Sequence, residues 1–240
     1  MPHIRGMKRF WESAAVSEQP GGFGVSLDGR PVRLPGGSPL LVPAAALAEA
    51  IAEEWNAAGG GKGGEMTPED VPLTRLAGTA QERIAPDPAP VATALAKYAE
   101  TDLLCYRAED PRLAKLQAES WQPLLDWAAL QHDAPLRVTA GLMPVAQEPQ
   151  ALAALRHAVA MLSPIELAAL GVLVPALGSL VLGLAVVQGR IAAEEAHRLA
   201  FLDETFQEQL WGTDAEAAAR RERIAREVAQ AARMVALSRA

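Results

Sequence analysis

Several residues have the chemistry for catalysis or metal binding, but their spacing matches neither kind of site. The histidines are widely separated and follow no metal-ligand pattern: they are His3, His132, His157 and His197. Ser179 follows a glycine but stands outside a Gly-x-Ser-x-Gly motif. Asp203 and Glu204 are adjacent, and neighbouring side chains on a helix point in different directions, so they do not form an acid–base pair. We therefore predict no catalytic and no metal-binding residues.

A glycine-rich stretch at residues 59–64 resembles a phosphate-binding loop only superficially. No glycine lies at the required distance upstream, and Gly63 stands where a Ser or Thr would hold magnesium. A predicted helix precedes the stretch in place of a strand. We expect a surface loop there and no cofactor. The single cysteine, Cys105, excludes an internal disulfide and an all-cysteine zinc site, and we interpret it as a small buried side chain.

The composition is that of an acidic globular protein. The chain has 240 residues, of which 50% are hydrophobic, and its net charge is -7. Nucleic-acid-binding proteins favour a basic face, so the charge argues against such a partner. The first ten residues carry positive charge but no apolar core of a secretory signal, and we expect a cytoplasmic location.

Residues 167–187 carry no charge and are long enough to span a bilayer. Three features favour a buried helix instead. Ser163-Pro164-Ile165-Glu166 has the pattern of a capping box with proline in the first turn. Pro175 interrupts the segment, and no basic cluster flanks it. We predict a central buried helix, bent or broken near Pro175, and no stable membrane insertion.

Alternation of apolar residues predicts a small β-meander at the start of the chain. Phe23, Val25 and Leu27 alternate before the hairpin signal Asp28-Gly29, and a third short strand is expected at residues 40–42. From residue 43 the period becomes helical, with Leu47, Ile51 and Trp55 on one face. We predict an α+β fold with a β-rich region at 1–42 and a helical domain at 43–240. A subdivision of that domain near 131–149 stays open, because proline and glycine make this segment a predicted linker.

The predicted helices of the second part follow a few sequence signals. One helix is expected from about residue 90 into Leu103, and another starts at Asp110-Pro111 with a kink or restart at Pro123. Single helices are expected over 191–211, ending at Gly212, and after a capping box at Thr213–Glu216.

Residues 98–127 concentrate the aromatic side chains of a chain that is poor in them. Both tyrosines, two of the five tryptophans and the only cysteine lie there. Together with other segments, this stretch resembles the assembly chaperone for the alpha subunit of the F-type ATP synthase catalytic head. The matching segments are Arg9-Phe10-Trp11, Leu27-Asp-Gly-Arg-Pro-Val32, residues 47–55, Pro72-Leu-Thr-Arg-Leu76, Thr101-Asp-Leu-Leu-Cys-Tyr-Arg107, Trp121-x-Pro-Leu-Leu-Asp-Trp127, Ala176-Leu-Gly-Ser-Leu180, Leu202-Asp-Glu204 with Gln207, Trp211-Gly212 and Asp214. Their order and spacing make the match specific.

The resemblance implies a chaperone without enzymatic activity, which binds the unassembled alpha subunit and shields a surface that the beta subunit later covers. It implies partner-binding roles for Asp203 or Glu204, without deciding between them, and for Gln207. The remaining motif positions are expected to be structural: Trp55, Asp102, Trp121, Trp127, Gly178, Trp211 and Gly212. The resemblance also implies a bacterial cytoplasmic version of a protein whose eukaryotic relatives are mitochondrial, and we expect a monomer.

Two alternatives from other classes stay open. One is a helical enzyme with an unrecognised small-molecule pocket, which requires convergent polar residues in a concave site. Asp203, Glu204, Arg75 and Asp102 are the groups whose placement would test it. The other is a peripheral membrane adaptor that uses the apolar segment 167–187.

Overall fold

The structure is a computed structural model that describes residues 7–141 and 143–240. His3 and the rest of the basic start of the chain lie outside the described residues. The strands are β1 (Met7–Lys8), β2 (Ala14–Gln19), β3 (Gly22–Leu27), β4 (Arg30–Pro31), β5 (Leu41–Val42), β6 (Glu65–Met66), β7 (Tyr106–Arg107) and β8 (Thr139–Ala140). The α-helices are α1 (Ala45–Ala57), α2 (Pro72–Thr79), α3 (Ala89–Ala96), α4 (Pro111–His132), α5 (Pro149–Ala160), α6 (Pro164–Leu177), α7 (Leu180–Val187), α8 (Ala193–Ala200), α9 (Leu202–Trp211) and α10 (Ala215–Ser238). The predicted α+β fold is confirmed.

The chain divides into two compact units at a different place from the predicted boundary at residue 42. One unit contains the residues up to Asp87 together with Arg233–Ala240, and the other is Pro88–Ala232. The first boundary lies later because α1 packs on β2 and β3. Leu47 and Ile51, on the inner face of α1, are fully buried and belong to the core of the β-rich unit. The segment 131–149 does not divide the second unit.

The meander of the first unit is centred on β3. This strand pairs antiparallel with β2 over its whole length, with β4 at one end and with β5 at the other. The hairpin predicted at Asp28-Gly29 forms, and both residues have the positive φ that such a turn requires, 47° and 79°. Strand β2 was not predicted, because Ala14 is its one buried residue and its side chains show no clear alternation.

A buried arginine joins the N-terminal segment of this unit to the end of α1. Arg9 is 6% exposed, and its guanidinium donates to four carbonyl oxygens. These belong to Asn56 at 2.7 Å, Ala58 at 3.1 Å, Trp11 at 3.1 Å and Glu12 at 2.7 Å. Two of them lie at the C-terminal end of α1, where the free carbonyls favour a cation.

The glycine-rich loop at residues 59–64 also contacts Arg9. The amide of Arg9 donates to the Gly64 carbonyl at 2.9 Å, and Gly63 donates back to the Arg9 carbonyl at 2.7 Å. A Cβ at Gly64 would lie 1.8 Å from the Gly59 oxygen, so the tight turn requires glycine there. The loop is therefore a packed turn that holds Arg9.

The apolar segment of the second unit forms two helices, α6 and α7, so the predicted bend or break takes the form of a break. The break lies at Gly178, which ends α6 with a φ of 66°, while Pro175 is accommodated in the last turn of α6. The predicted capping box at Ser163 and Glu166 is present. A Cβ at Gly183 would lie 2.8 Å from Val174, so glycine lets the two helices approach closely. No helix in residues 7–141 and 143–240 combines the length and apolarity needed to cross a bilayer.

Other predicted helices of this unit also differ in extent. The helix expected from residue 90 into Leu103 ends at Ala96 and continues as 3-10 turns. The helix at Asp110-Pro111 runs through Pro123 without a break. The helix expected over 191–211 is interrupted at Phe201, which separates α8 from α9. The last helix starts later than predicted, because the Asp214 carboxylate, in place of the Thr213 side chain, accepts from the Glu216 amide at 2.9 Å.

Replacing Arg9 by lysine should destabilise the first unit. Lysine keeps the charge but lacks the planar fork that reaches several carbonyls, so at least one buried carbonyl loses its partner. We expect a loss of about 2–3 kcal/mol in the free energy of unfolding, measured by urea denaturation. Arg30→Lys, at an exposed position of the same unit, is the matched control and should stay within about 0.5 kcal/mol. Equal stability of the two variants would contradict a structural role for the Arg9 fork.

Candidate partner-binding surface

The predicted partner-binding residues lie on α9, and the structure separates their roles. Asp203 accepts a hydrogen bond from the Gln117 amide of α4 at 2.8 Å. Gln117 is 2% exposed, and its own oxygen accepts from the Ala108 amide at 2.7 Å. One oxygen of the Asp203 carboxylate is therefore used to hold α9 on α4, while the side chain as a whole stays partly exposed.

Glu204 faces the opposite way and binds α10. Its carboxylate lies 2.5 Å from Arg220 and 3.3 Å from Arg221. Arg221 also contacts Glu208, one turn further along α9, at 2.7 Å. Arg221 is mostly shielded from solvent, with 14% of its side chain exposed, so these ion pairs are less screened than ordinary surface pairs. They raise the pKa of the Arg221 guanidinium, chiefly through the hydrogen bond to Glu208.

The acidic pair is thus neither a solvated face nor an acid–base pair. Its partners Gln117, Arg220 and Arg221 were not predicted from the sequence. The arginines lie on a different helix from Glu204, and Gln117 lies 86 positions from Asp203 in the sequence. No local spacing rule connects residues that far apart, so these contacts could not be predicted from the sequence.

The exposed part of α9 carries two large apolar side chains. Gln207, Leu210 and Trp211 lie three and four positions apart and so share one side of the helix. Leu210 is 48% exposed and Trp211 is 85% exposed. We call these three residues the α9 outer face. Trp211 was expected to be structural, but it contributes little to the core because the helix ends there, at Gly212 as predicted, and the ring projects from its last turn.

Next to this face, Phe206 is held against α4. The Arg112 guanidinium lies 5.8 Å from the Phe206 ring, in the range of a cation–π contact. Arg112 in turn contacts the Asp110 carboxylate that caps α4, at 3.2 Å. With Gln117–Asp203, this contact fixes α9 antiparallel to α4 at two points along its length.

Asp102 is buried at the start of α7. It is fully excluded from solvent. One carboxylate oxygen accepts from Ser179 Oγ at 2.7 Å and from the Leu104 amide at 3.0 Å, and the other accepts from the Val181 amide at 3.0 Å. Ser179 Oγ itself accepts from the Leu182 amide at 3.0 Å. Burial raises the pKa of the Asp102 carboxyl, and these hydrogen bonds oppose that rise.

The other predicted structural positions have separate partners. Trp121 is 1% exposed and donates to the Leu199 carbonyl of α8 at 3.0 Å. Trp55 is 8% exposed and donates to Thr74 Oγ1 at 2.9 Å. Trp127 is half-buried, and the centroid of its ring lies 5.2 Å from that of the His132 ring in an edge-to-face arrangement. Burial raises the pKa of Cys105 to about 12, which leaves its thiol protonated and unreactive.

The residues that would test the enzyme alternative have separate contacts. Asp102 has all its contacts inside the second unit, Glu204 is held by arginines, and Arg75 lies 3.9 Å from Glu69 in the first unit. In the part of the chain that the structure describes, no group of three or more His, Cys, Asp or Glu side chains could hold a metal ion.

Comparisons with known proteins identify the family. A profile described as ATP12 chaperone protein matches residues 8–129. The crystal structure of Atp12 from Paracoccus denitrificans is 47% identical, with a TM-score of 0.90, and the match covers 96% of this chain and 98% of that one. The chain belongs to the ATP12 chaperone family. This confirms the family of ATP synthase assembly chaperones that the sequence motifs predicted.

Two further members extend the comparison. A protein from Agrobacterium tumefaciens is 37% identical with a TM-score of 0.86, over 95% of this chain and 84% of that chain. The mitochondrial protein atp12 of Schizosaccharomyces pombe is 26% identical over 218 residues, which is 86% of this chain and 74% of that protein. The similarity to the two bacterial structures spans both units, so the ATP12 fold extends well beyond the segment that matches the profile.

Replacing Asp102 by asparagine should destabilise the ATP12 fold although the two side chains have the same shape. Each carboxylate oxygen accepts from at least one donor, so the asparagine NH₂ must face an N–H or O–H group wherever it is placed. We expect a loss of about 2–4 kcal/mol in the free energy of unfolding, measured by urea denaturation. Asp126→Asn, an exposed exchange on α4, is the control. If Asp102→Asn were as stable as the control, the donors around Asp102 would have relaxed around the amide, which would contradict the prediction.

Proposed function

We propose that this protein binds the unassembled alpha subunit of the F-type ATP synthase and shields its subunit interface until the beta subunit replaces it. Membership of the ATP12 chaperone family supports a role in ATP synthase assembly. The choice of the alpha subunit comes from the motif resemblance. On this proposal the protein is a monomer of the bacterial cytoplasm and acts without catalysis.

The exposed Trp211 is the observation that supports the α9 outer face as the place where the client binds. Tryptophan is enriched among residues that dominate binding energies, and an 85% exposed ring beside Leu210 is the kind of anchor that a partner pocket can cover. Gln207 adds a polar group on the same side. A mixed surface of this kind suits a contact that must later be displaced.

The ion pairs behind α9 support this role by fixing the helix before the client arrives. Glu204 and Glu208 hold α9 to α10, and Asp203 holds it to α4. A helix that is already positioned loses less conformational freedom on binding, which raises affinity without added contacts. On this view the acidic residues are positioning residues, with the free part of Asp203 available to a donor on the client.

Leucine-to-serine exchanges at two exposed positions test the α9 outer face. Leu210→Ser should weaken capture of isolated alpha subunit about tenfold, because a covered leucine contributes about 1–2 kcal/mol. Leu130→Ser is the matched control, since Leu130 is 89% exposed on α4 and lies outside this face. The measurement is co-purification of tagged chaperone with alpha subunit, calibrated by titration. Equal capture by both variants would exclude the α9 outer face from the interface.

The specificity for alpha is tested in the same assay with isolated beta subunit. We expect the wild-type chaperone to retain alpha and suppress its aggregation, and to leave beta unbound. Binding of correctly folded chaperone to beta alone, or to neither subunit, would contradict the proposed client.

Paired variants distinguish the role of Asp203 from that of Gln117. Asp203→Asn keeps an oxygen for the Gln117 donor but removes the charge, so stability should change by less than about 0.5 kcal/mol while alpha binding falls about fivefold. Gln117→Ala removes two buried hydrogen bonds and should lower the free energy of unfolding by about 2 kcal/mol. Unchanged alpha binding by Asp203→Asn would restrict Asp203 to its structural contact.

A further inference from the structure

The first unit has an exposed apolar surface of its own. A groove of about 510 Å³ lies beside β1 and β4. Its floor includes Val32 and Trp55, which are 5% and 8% exposed. Met7 and Phe10 lie on its rim and are 48% and 57% exposed. Large apolar side chains grouped around a concave surface typically mark a binding site.

Phe10 is held in place at this rim. Its ring packs edge-on against the buried Trp11 ring at 5.1 Å. The backbone beside it is fixed by Arg9, whose guanidinium is bonded to four carbonyls. Phe10 therefore presents its exposed face without losing much freedom when a ligand covers it, which favours binding.

Two arginines supply the charge of the groove. Arg30 and Arg33 both line it, and the lining contains no acidic residue. Arg33 donates to the Gly37 carbonyl at 2.7 Å, which holds its guanidinium in place. The ion pairs that the structure describes in this unit join other residues, Lys62 with Glu12, Arg75 with Glu69 and Arg233 with Glu53. The groove is thus locally positive in a chain with a net charge of -7.

We propose that this groove binds a polypeptide segment in which an acidic residue stands close to an aromatic or large aliphatic residue. The apolar side chain covers Phe10 and Met7, and the carboxylate binds Arg30 and Arg33. Arginine suits this role because its guanidinium can accept a carboxylate in a two-point contact. The groove is formed by residues of the first unit, and its proposed role does not depend on which subunit is the client.

A pair of short peptides tests the charge preference. The acidic probe is acetyl-Gly-Asp-Phe-Glu-Leu-Gly-amide, and the basic probe replaces its Asp and Glu by Lys. Each is titrated into the full-length ¹⁵N-labelled protein and followed by NMR. The acidic probe should shift the signals of residues 7–10 and 30–33 and bind at least about tenfold more tightly than the basic one. Equal affinities, or shifts confined to other residues, would overturn the proposal.

Matched variants test which residues of the groove contact the two probes. Arg30→Glu should weaken the acidic probe about tenfold and strengthen the basic one, whereas Phe10→Ser should weaken both. Arg83→Glu makes the same charge change at an exposed position of this unit outside the groove and should bind as wild type. All three replace exposed side chains, and thermal unfolding checks that each is folded. Affinity of Arg30→Glu for the acidic probe equal to that of Arg83→Glu would also overturn the proposal.

Discussion

Each of the two units is built around a buried charge whose partners are mostly backbone groups. In the first unit Arg9 donates to four carbonyls, and in the second Asp102 accepts from two amides and a serine. A buried charge is tolerated when hydrogen bonds replace the water that it has lost. Both charges also lie at helix ends, where free backbone groups need partners: Arg9 at the end of α1 and Asp102 at the start of α7. The same hydrogen bonds therefore stabilise the charge and fix the position of each helix end.

The segments that identify the family contact one another through buried hydrogen bonds. Trp11 donates to the Trp55 carbonyl at 3.0 Å, and Trp55 reaches Thr74 in turn. Asp102 binds Ser179, from a segment 77 positions away, at 2.7 Å. Such pairs restrict both partners at once, because neither can change without leaving a buried polar group unsatisfied. This explains how short motifs scattered along the chain can specify one fold.

Patterns within one element were predictable from sequence, and contacts between distant elements were not. The hairpin at Asp28-Gly29 and the buried face of α1 follow from turn chemistry and periodicity, which are local. A bend or break was predicted near Pro175, and the break lies three residues later at Gly178, whose left-handed conformation ends α6, while Pro175 stays within the last turn. At the candidate surface, sequence resemblance located the acidic pair on α9. Its binding to Gln117 and Arg221 depends on tertiary packing, so no spacing rule could predict it.

These contacts change the part that the acidic pair can play in recognition. A carboxylate already bound to arginine, such as Glu204, must give up that partner before it can bind a client, which makes it a weak source of new affinity. Among residues 7–141 and 143–240, no such competing partner binds the exposed apolar side chains of α9. A chaperone that must release its client benefits from this division. On the proposed function, the ion pairs hold α9 in place, while a small apolar face that includes Trp211 would provide contact energy of limited size. Such binding would be strong enough to shield an interface and weak enough to be displaced by a larger one.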